Sequence, residues 1–239
     1  MPEPPELEER VSFVLEAIYA AYTTGWESLM ETASTHHALA AEAIALAQVL
    51  TQLMPREPEA LGLLALILHC EARREARYTS DGKFVPLDQQ DTALWSQSMI
   101  EEAEKHLRSA AAVKRMGRYQ LEAAIQSVHA SRAKTGRIDW KEIALLYEGL
   151  VRIAPGIGSL VGRAVAIAQA GEPAAGLAAL QEIPVDRTGN YQPYWAARGH
   201  LLQLRNRKDE AVEAFNRAAS LTDDPALREY LFKRSADNI

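Results

Sequence analysis

The chain has 239 residues, 48% hydrophobic and 24% charged, with 26 Lys plus Arg against 32 Asp plus Glu and one cysteine. That composition excludes a disordered tail, and a formal charge of -6 lacks the basic footprint of an autonomous nucleic-acid binder. Cys70 by itself makes neither an internal disulfide nor a thiolate cluster, which suits a reducing, cytoplasmic setting.

Residues 1–6, Met1-Pro2-Glu3-Pro4-Pro5-Glu6, are acidic and proline-rich and read as a linker, without the basic and apolar regions of a signal peptide. From Leu7 to Tyr22, Val11, Val14, Leu15, Ile18 and Tyr22 recur at spacings of three and four and predict an amphipathic helix that ends at Gly25. A second helix is predicted over about Thr35 to Leu53. A third follows Pro55, with Glu57-Pro58-Glu59 as its acidic first turn, and runs to about Arg77. Its apolar stretch Leu61 to Leu68 is far shorter than the roughly 20 residues that cross a bilayer, so no membrane contact is expected.

Residues 78–90 hold Ser80-Asp81-Gly82 and Pro86 and read as the longest loop, of a kind that often carries function. Helical spacing resumes from Asp91 to Ala112 and from Arg118 to Ala133. Asp139 is placed to cap a helix ending near Ile153. Further helices are predicted over Leu160 to Ala170, Ala174 to Glu182, Gln192 to Leu204, Asp209 to Ser220 and Pro225 to Ser235. No run alternates in the manner of a strand.

Tight turns between so many helices suit a bundle or a solenoid, and an imperfect repeat favours the second. Trp195, Gly199, Leu202, Ala211, Phe215 and Ala218 fall into the register of a tetratricopeptide helix pair, in which short side chains let two helices approach. Ile143, Tyr147, Leu150 and Pro155 repeat its second helix, and Ala164, Ile167 and Leu180 give a degraded copy between. Upstream, Ala43, Ala47, Leu50 and Pro55 resemble a second helix and Leu61, Leu64, Ala65 and Leu68 a first. The expected fold is therefore all-α: about eleven helices in antiparallel hairpins, stacked as a degenerate tetratricopeptide-like right-handed α-solenoid. The expected organisation is one continuous domain, with a helical part over 7–112 that holds the loop at 78–90, and repeats over 113–239.

Several stretches resemble the C-terminal extension of extracytoplasmic-function sigma factors. They are YAAYTTGW from Tyr19 to Trp26, Glu42-Ala43-Ile44, Glu57 to Arg77, Gln90-Asp91 with Trp95 and Glu102, and above all GRYQLEAAIQSVHA from Gly117 to Ala130. Asp139-Trp140 with Leu146-Tyr147, Arg163 to Ala166, and the last repeat extend the likeness over nearly the whole chain. The resemblance implies a non-catalytic regulatory domain that modulates transcription initiation, with the sigma core regions and RNA polymerase as partners and no direct DNA binding by this chain alone. It also implies that the chain begins in the linker behind the sigma regions. Thr23-Thr24, Thr92 and Gly162 depart from the family pattern. A free-standing helical adaptor and a small-molecule sensor are the alternative readings.

The candidate binding residues form stripes. His69, Arg73 and Arg77 share one face of the third predicted helix, and Asp91, Trp95, Met99, Glu102 and His106 one face of the fourth. If these faces meet, the guanidinium groups fork onto Asp91 and Glu102, as a structural ion network or as part of a ligand pocket. Gln90, Gln120 and His129 complete the candidate set, although Gln120 and His129, nine positions apart, do not share a helix face. His36 and His37 are adjacent and point apart. With no HExxH, no Cys pair, no GxSxG and no phosphate loop, neither metal, cofactor nor catalysis is expected.

Overall fold

The computed structural model describes residues 4–27 and 33–237. It is all-α, with eleven helices of nine residues or more and no strand among the described residues. The chain divides into two compact units, one built from residues 1–74 and 95–130 and the other from 75–94 and 131–239.

The first unit holds α1 (Pro4–Glu27), α2 (Ala33–Leu53), α3 (Pro58–Glu71), α4 (Gln97–Ala112) and α5 (Arg118–Ala130). α1 opens inside the stretch read as a linker and continues through Gly25. The side chains of His36 and His37 lie outside the described residues. α3 is apolar around its whole circumference because α1, α2, α4 and α5 all pack on it, burying Ala60 to His69. Leu15, Ile18 and Tyr22 from α1 and Ala43 and Ala47 from α2 meet Leu63, Leu64 and Ile67 in this core.

Two boundaries differ from the sequence expectation. α3 ends at Glu71, and Arg74–Arg77 form a separate 3-10 turn. α4 starts at Gln97, where the Ser96 hydroxyl accepts from the Met99 amide at 3.4 Å, so Asp91 and Trp95 precede the helix instead of sharing its face. One tertiary hydrogen bond, from the Ser96 amide to the Ala72 carbonyl at 2.7 Å, joins the end of α3 to the start of α4.

The second unit holds α6 (Arg132–Thr135), α7 (Trp140–Ile153), α8 (Ile157–Gln169), α9 (Pro173–Gln181), α10 (Val185–Thr188), α11 (Gln192–Leu204), α12 (Lys208–Ser220) and α13 (Pro225–Ala236). Neighbours pair in sequence, α7 with α8, α8 with α9, α11 with α12 and α12 with α13, and α11 also packs on α8 and α9. This neighbour-to-neighbour packing is that of a helical repeat. Asp139 caps α7 as predicted, accepting from the Glu142 amide at 3.0 Å. At the α11–α12 crossing a Cβ on Gly199 would stand 2.8 Å from the Phe215 ring, so the register position held by glycine is filled by the partner helix's aromatic.

The predicted long loop is anchored structure. Tyr78 and Phe84 form an isolated antiparallel bridge, and 3-10 turns cover Leu87–Gln89 and Thr92–Leu94. The Tyr78 hydroxyl donates to Asp224 Oδ2 at 2.7 Å, and the Phe84 ring stands edge-on to Tyr230 at 5.4 Å. The Arg132 guanidinium donates to the carbonyls of Leu87, Asp88 and Gln90 at 3.1, 3.1 and 2.7 Å. These bonds satisfy backbone acceptors that a short irregular segment leaves without ladder partners.

Candidate functional site

In the first unit, α3, α4 and α5 bring together His69, Glu104 and Ser127. His69 is 2% exposed, and its Nε2 lies 3.4 Å from Glu104 Oε1. The Ser127 hydroxyl donates to the same carboxylate oxygen. His69 first and then Ser127 hold the Glu104 carboxyl below its ordinary 4.5, against the opposing effect of burial. The carboxylate thus stands between imidazole and hydroxyl. A hydrolytic triad requires the imidazole to take the hydroxyl proton, and here the acid holds that place. The arrangement ties three helices through one half-buried carboxylate.

A second cluster joins α3 to the start of α5. Glu59 accepts from the amides of Tyr119 and Gln120 at 2.9 and 3.2 Å and from Gln120 Nε2 at 3.2 Å. A carboxylate at a helix N-terminus meets both the unpaired amides and the positive end of the dipole. Beside it lies an open groove of about 540 Å³, lined by Val11, Leu15, Glu57, Arg115, Arg118 and Tyr119. Arg118 lies over the rings of Tyr19 and Tyr119 at 5.4 and 5.1 Å and pairs with Glu122 at 2.8 Å, while Arg115 pairs with Glu57 at 3.0 Å. Burial pushes the Tyr119 hydroxyl up to about 12.

In the second unit a groove of about 380 Å³ runs between the 78–90 segment and α13, lined by Lys83, Phe84, Val85, Tyr230, Lys233 and Arg234. Its lining mixes the apolar groups of Phe84, Val85 and Tyr230 with charges of both signs, Lys83, Lys233 and Arg234 beside Glu229 and Asp237.

The predicted stripes do not exist as single helix faces, because α3 stops before Arg73 and α4 starts after Trp95. The structure places His69, Arg73, Trp95, Glu102, Gln120 and His129 in the first unit and Arg77, Gln90 and Asp91 in the second. Arg73 donates to Cys70 Sγ at 3.7 Å, and Arg77 lies over the Tyr78 ring at 5.5 Å. Asp91 accepts from the Ala93 amide at 2.9 Å, and Glu102 lies 3.8 Å from His106 on its own helix. Gln90 is buried and donates to the Val85 carbonyl at 3.4 Å. Trp95, Gln120 and His129 are buried. Of the nine, His69 contacts Glu104 and Gln120 donates to Glu59. Glu59, Glu104, Ser127 and Arg132 were not singled out by spacing. Their partners lie far along the chain, and only the placement of Glu59 in an acidic first turn gave a signal.

Residues 10–111 match a family of unknown function, DUF6596. The chain is also similar to an uncharacterized protein of Rhizobium meliloti (strain 1021), 36% identical over 230 residues, which cover 96% of this chain and 54% of that protein. It therefore spans about half the length of that relative. No helix among the described residues is long and apolar enough to cross a membrane.

Proposed function

We propose that this chain is a non-catalytic regulatory module of an extracytoplasmic-function sigma factor, which tunes transcription initiation by gripping sigma regions or RNA polymerase. The observation that carries the reading is the α11–α12 pair, where Gly199 and Phe215 keep the close approach of a tetratricopeptide repeat. Stacked pairs of this kind serve as scaffolds for extended peptides and partner helices. The stretches that resemble the sigma-factor extension support the same reading, and a relative of nearly twice the length has room for further domains.

The mechanism is a population shift. Docking on one sigma conformation changes the fraction competent for polymerase by no more than the difference in affinity for the two conformations. The test is co-purification of the full chain with sigma regions supplied on a separate polypeptide, followed by promoter output with Arg73→Ala. Arg73 is half-buried, so its loss perturbs the fold less than loss of the buried Trp95. Retention of the sigma regions, with altered output in the variant, supports the assignment. Absence of both removes it.

A further inference from the structure

We propose that His200 is a pH-sensitive latch that holds α13 on the preceding helices and loosens it when the imidazole is protonated. The ring sits on α11, where three elements converge. Its Nδ1 lies 3.3 Å from Arg234 Nη2 on α13, and its Nε2 lies 2.8 Å from the Gln169 side-chain amide on α8. A guanidinium has only N–H donors, so Nδ1 presents its lone pair to Arg234 and the ring proton sits on Nε2, facing the Gln169 amide nitrogen at 2.8 Å; we assign that amide with its oxygen in the nitrogen's place, where it accepts the ring proton. The neutral ring is the form these neighbours fit.

Arg234 is the hub on the α13 side. It also donates to Gln203 Oε1 on α11 and to the Tyr230 hydroxyl at 2.9 Å, and it lies over the Phe215 ring of α12 at 5.1 Å. A proton on Nδ1 removes the acceptor and sets an N–H and a positive charge against the guanidinium. The charges acting on the ring are Arg234, which opposes the cation, and Asp88 in the turn Leu87–Gln89, which favours it; α8 presents a neutral amide and α12 an aromatic ring. Burial first and Arg234 second hold the imidazole below its ordinary 6.5, with Asp88 working the other way. Acidification therefore protonates the opened form more readily than the closed one and shifts the population toward opening.

The test is hydrogen exchange of the α13 amides in the full chain at about pH 7.5 and about pH 5.5, corrected for the intrinsic exchange rate. The expected result is a severalfold loss of protection at the lower pH, confined to α13 and its contacts, which His200→Asn abolishes because its Oδ1 takes the place of Nδ1 and accepts from Arg234 without titrating. An equal loss in His200→Asn, or no loss in the unsubstituted chain, overturns the latch. Should the variant fail to fold, an NMR titration of the unsubstituted chain decides. A His200 ring that titrates at or above the ordinary 6.5 overturns the proposal, and one that titrates below it, together with a shift of the Arg234 side-chain signals, supports it.

Discussion

Gly117 leaves the space that the Glu59 carboxyl occupies: a Cβ at position 117 would lie 2.2 Å from Glu59 Cδ. A residue of α3 thereby caps a helix that starts some sixty positions later in the chain. Glu59→Ala is expected to cost about 1–2 kcal/mol, the range for losing a helix N-cap, and Glu59→Gln less, since an amide oxygen still accepts. Gly117→Ala should destabilise through the same contact. Urea denaturation of the three variants checks this, and a Gly117→Ala protein as stable as the parent would show that the cap is not tightly held.

The Gly199–Phe215 contact sets the last repeat. Phe215 is 2% exposed, and Phe215→Ala should cost about 3–5 kcal/mol, with Gly199→Val nearly as harmful because the ring has nowhere to withdraw. Thermal unfolding followed by circular dichroism measures both. A small effect at position 199 would mean that α11 and α12 separate without loss.

This hairpin was legible in the sequence because its signal is local. Trp195, Gly199, Ala211 and Phe215 lie on two consecutive helices, and their spacing alone brings them together. The end of α3 and the start of α4 were not legible for the opposite reason. Glu71-Ala72-Arg73-Arg74-Glu75-Ala76-Arg77 consists of good helix formers, yet the Ala72 carbonyl turns to the Ser96 amide, a partner that no spacing rule supplies. The spacing of Asp91, Trp95 and Met99 extends the apparent helix back to Asp91, whereas the Ser96 hydroxyl caps it at Gln97. The same limit applies to the buried cluster. His69 stood out through its spacing with Arg73 and Arg77, whereas Glu104 and Ser127 look like ordinary surface residues until α4 and α5 are packed.

Glu104 gives a pH dependence with a definite sign. Its carboxyl is held below the ordinary 4.5, so the folded state favours the anion and the unfolded chain binds the proton more readily as the pH falls. The stability from this group is complete above the ordinary value and is lost as the pH drops through the folded one. Urea midpoints measured from about pH 6 down to about pH 3 should fall less steeply for Glu104→Gln than for the parent. Parallel curves would count against the His69–Glu104 contact.

Arg132 holds three carbonyls of the 87–90 segment, and a hydrogen bond to a charged group contributes about 1.5–3 kcal/mol net of water, less at the exposed Asp88 carbonyl. Arg132→Ala should open this segment to proteolysis while the α8–α9 and α11–α12 pairs stay folded. Arg132→Lys should rescue only in part, since an ammonium lacks the fork that reaches several acceptors at once. Limited proteolysis with mass mapping reads the outcome, and unchanged cleavage across 75–94 would rule against the anchor.

The route of the backbone carries a consequence for anyone who dissects this protein. Residues 75–94 pack with 131–239, and the chain then returns to build 95–130 into the first unit. No single scission yields two fragments that each keep their own interior, so a truncated half is incomplete rather than minimal. Loss of activity on deletion would then report a broken scaffold as readily as a missing contact.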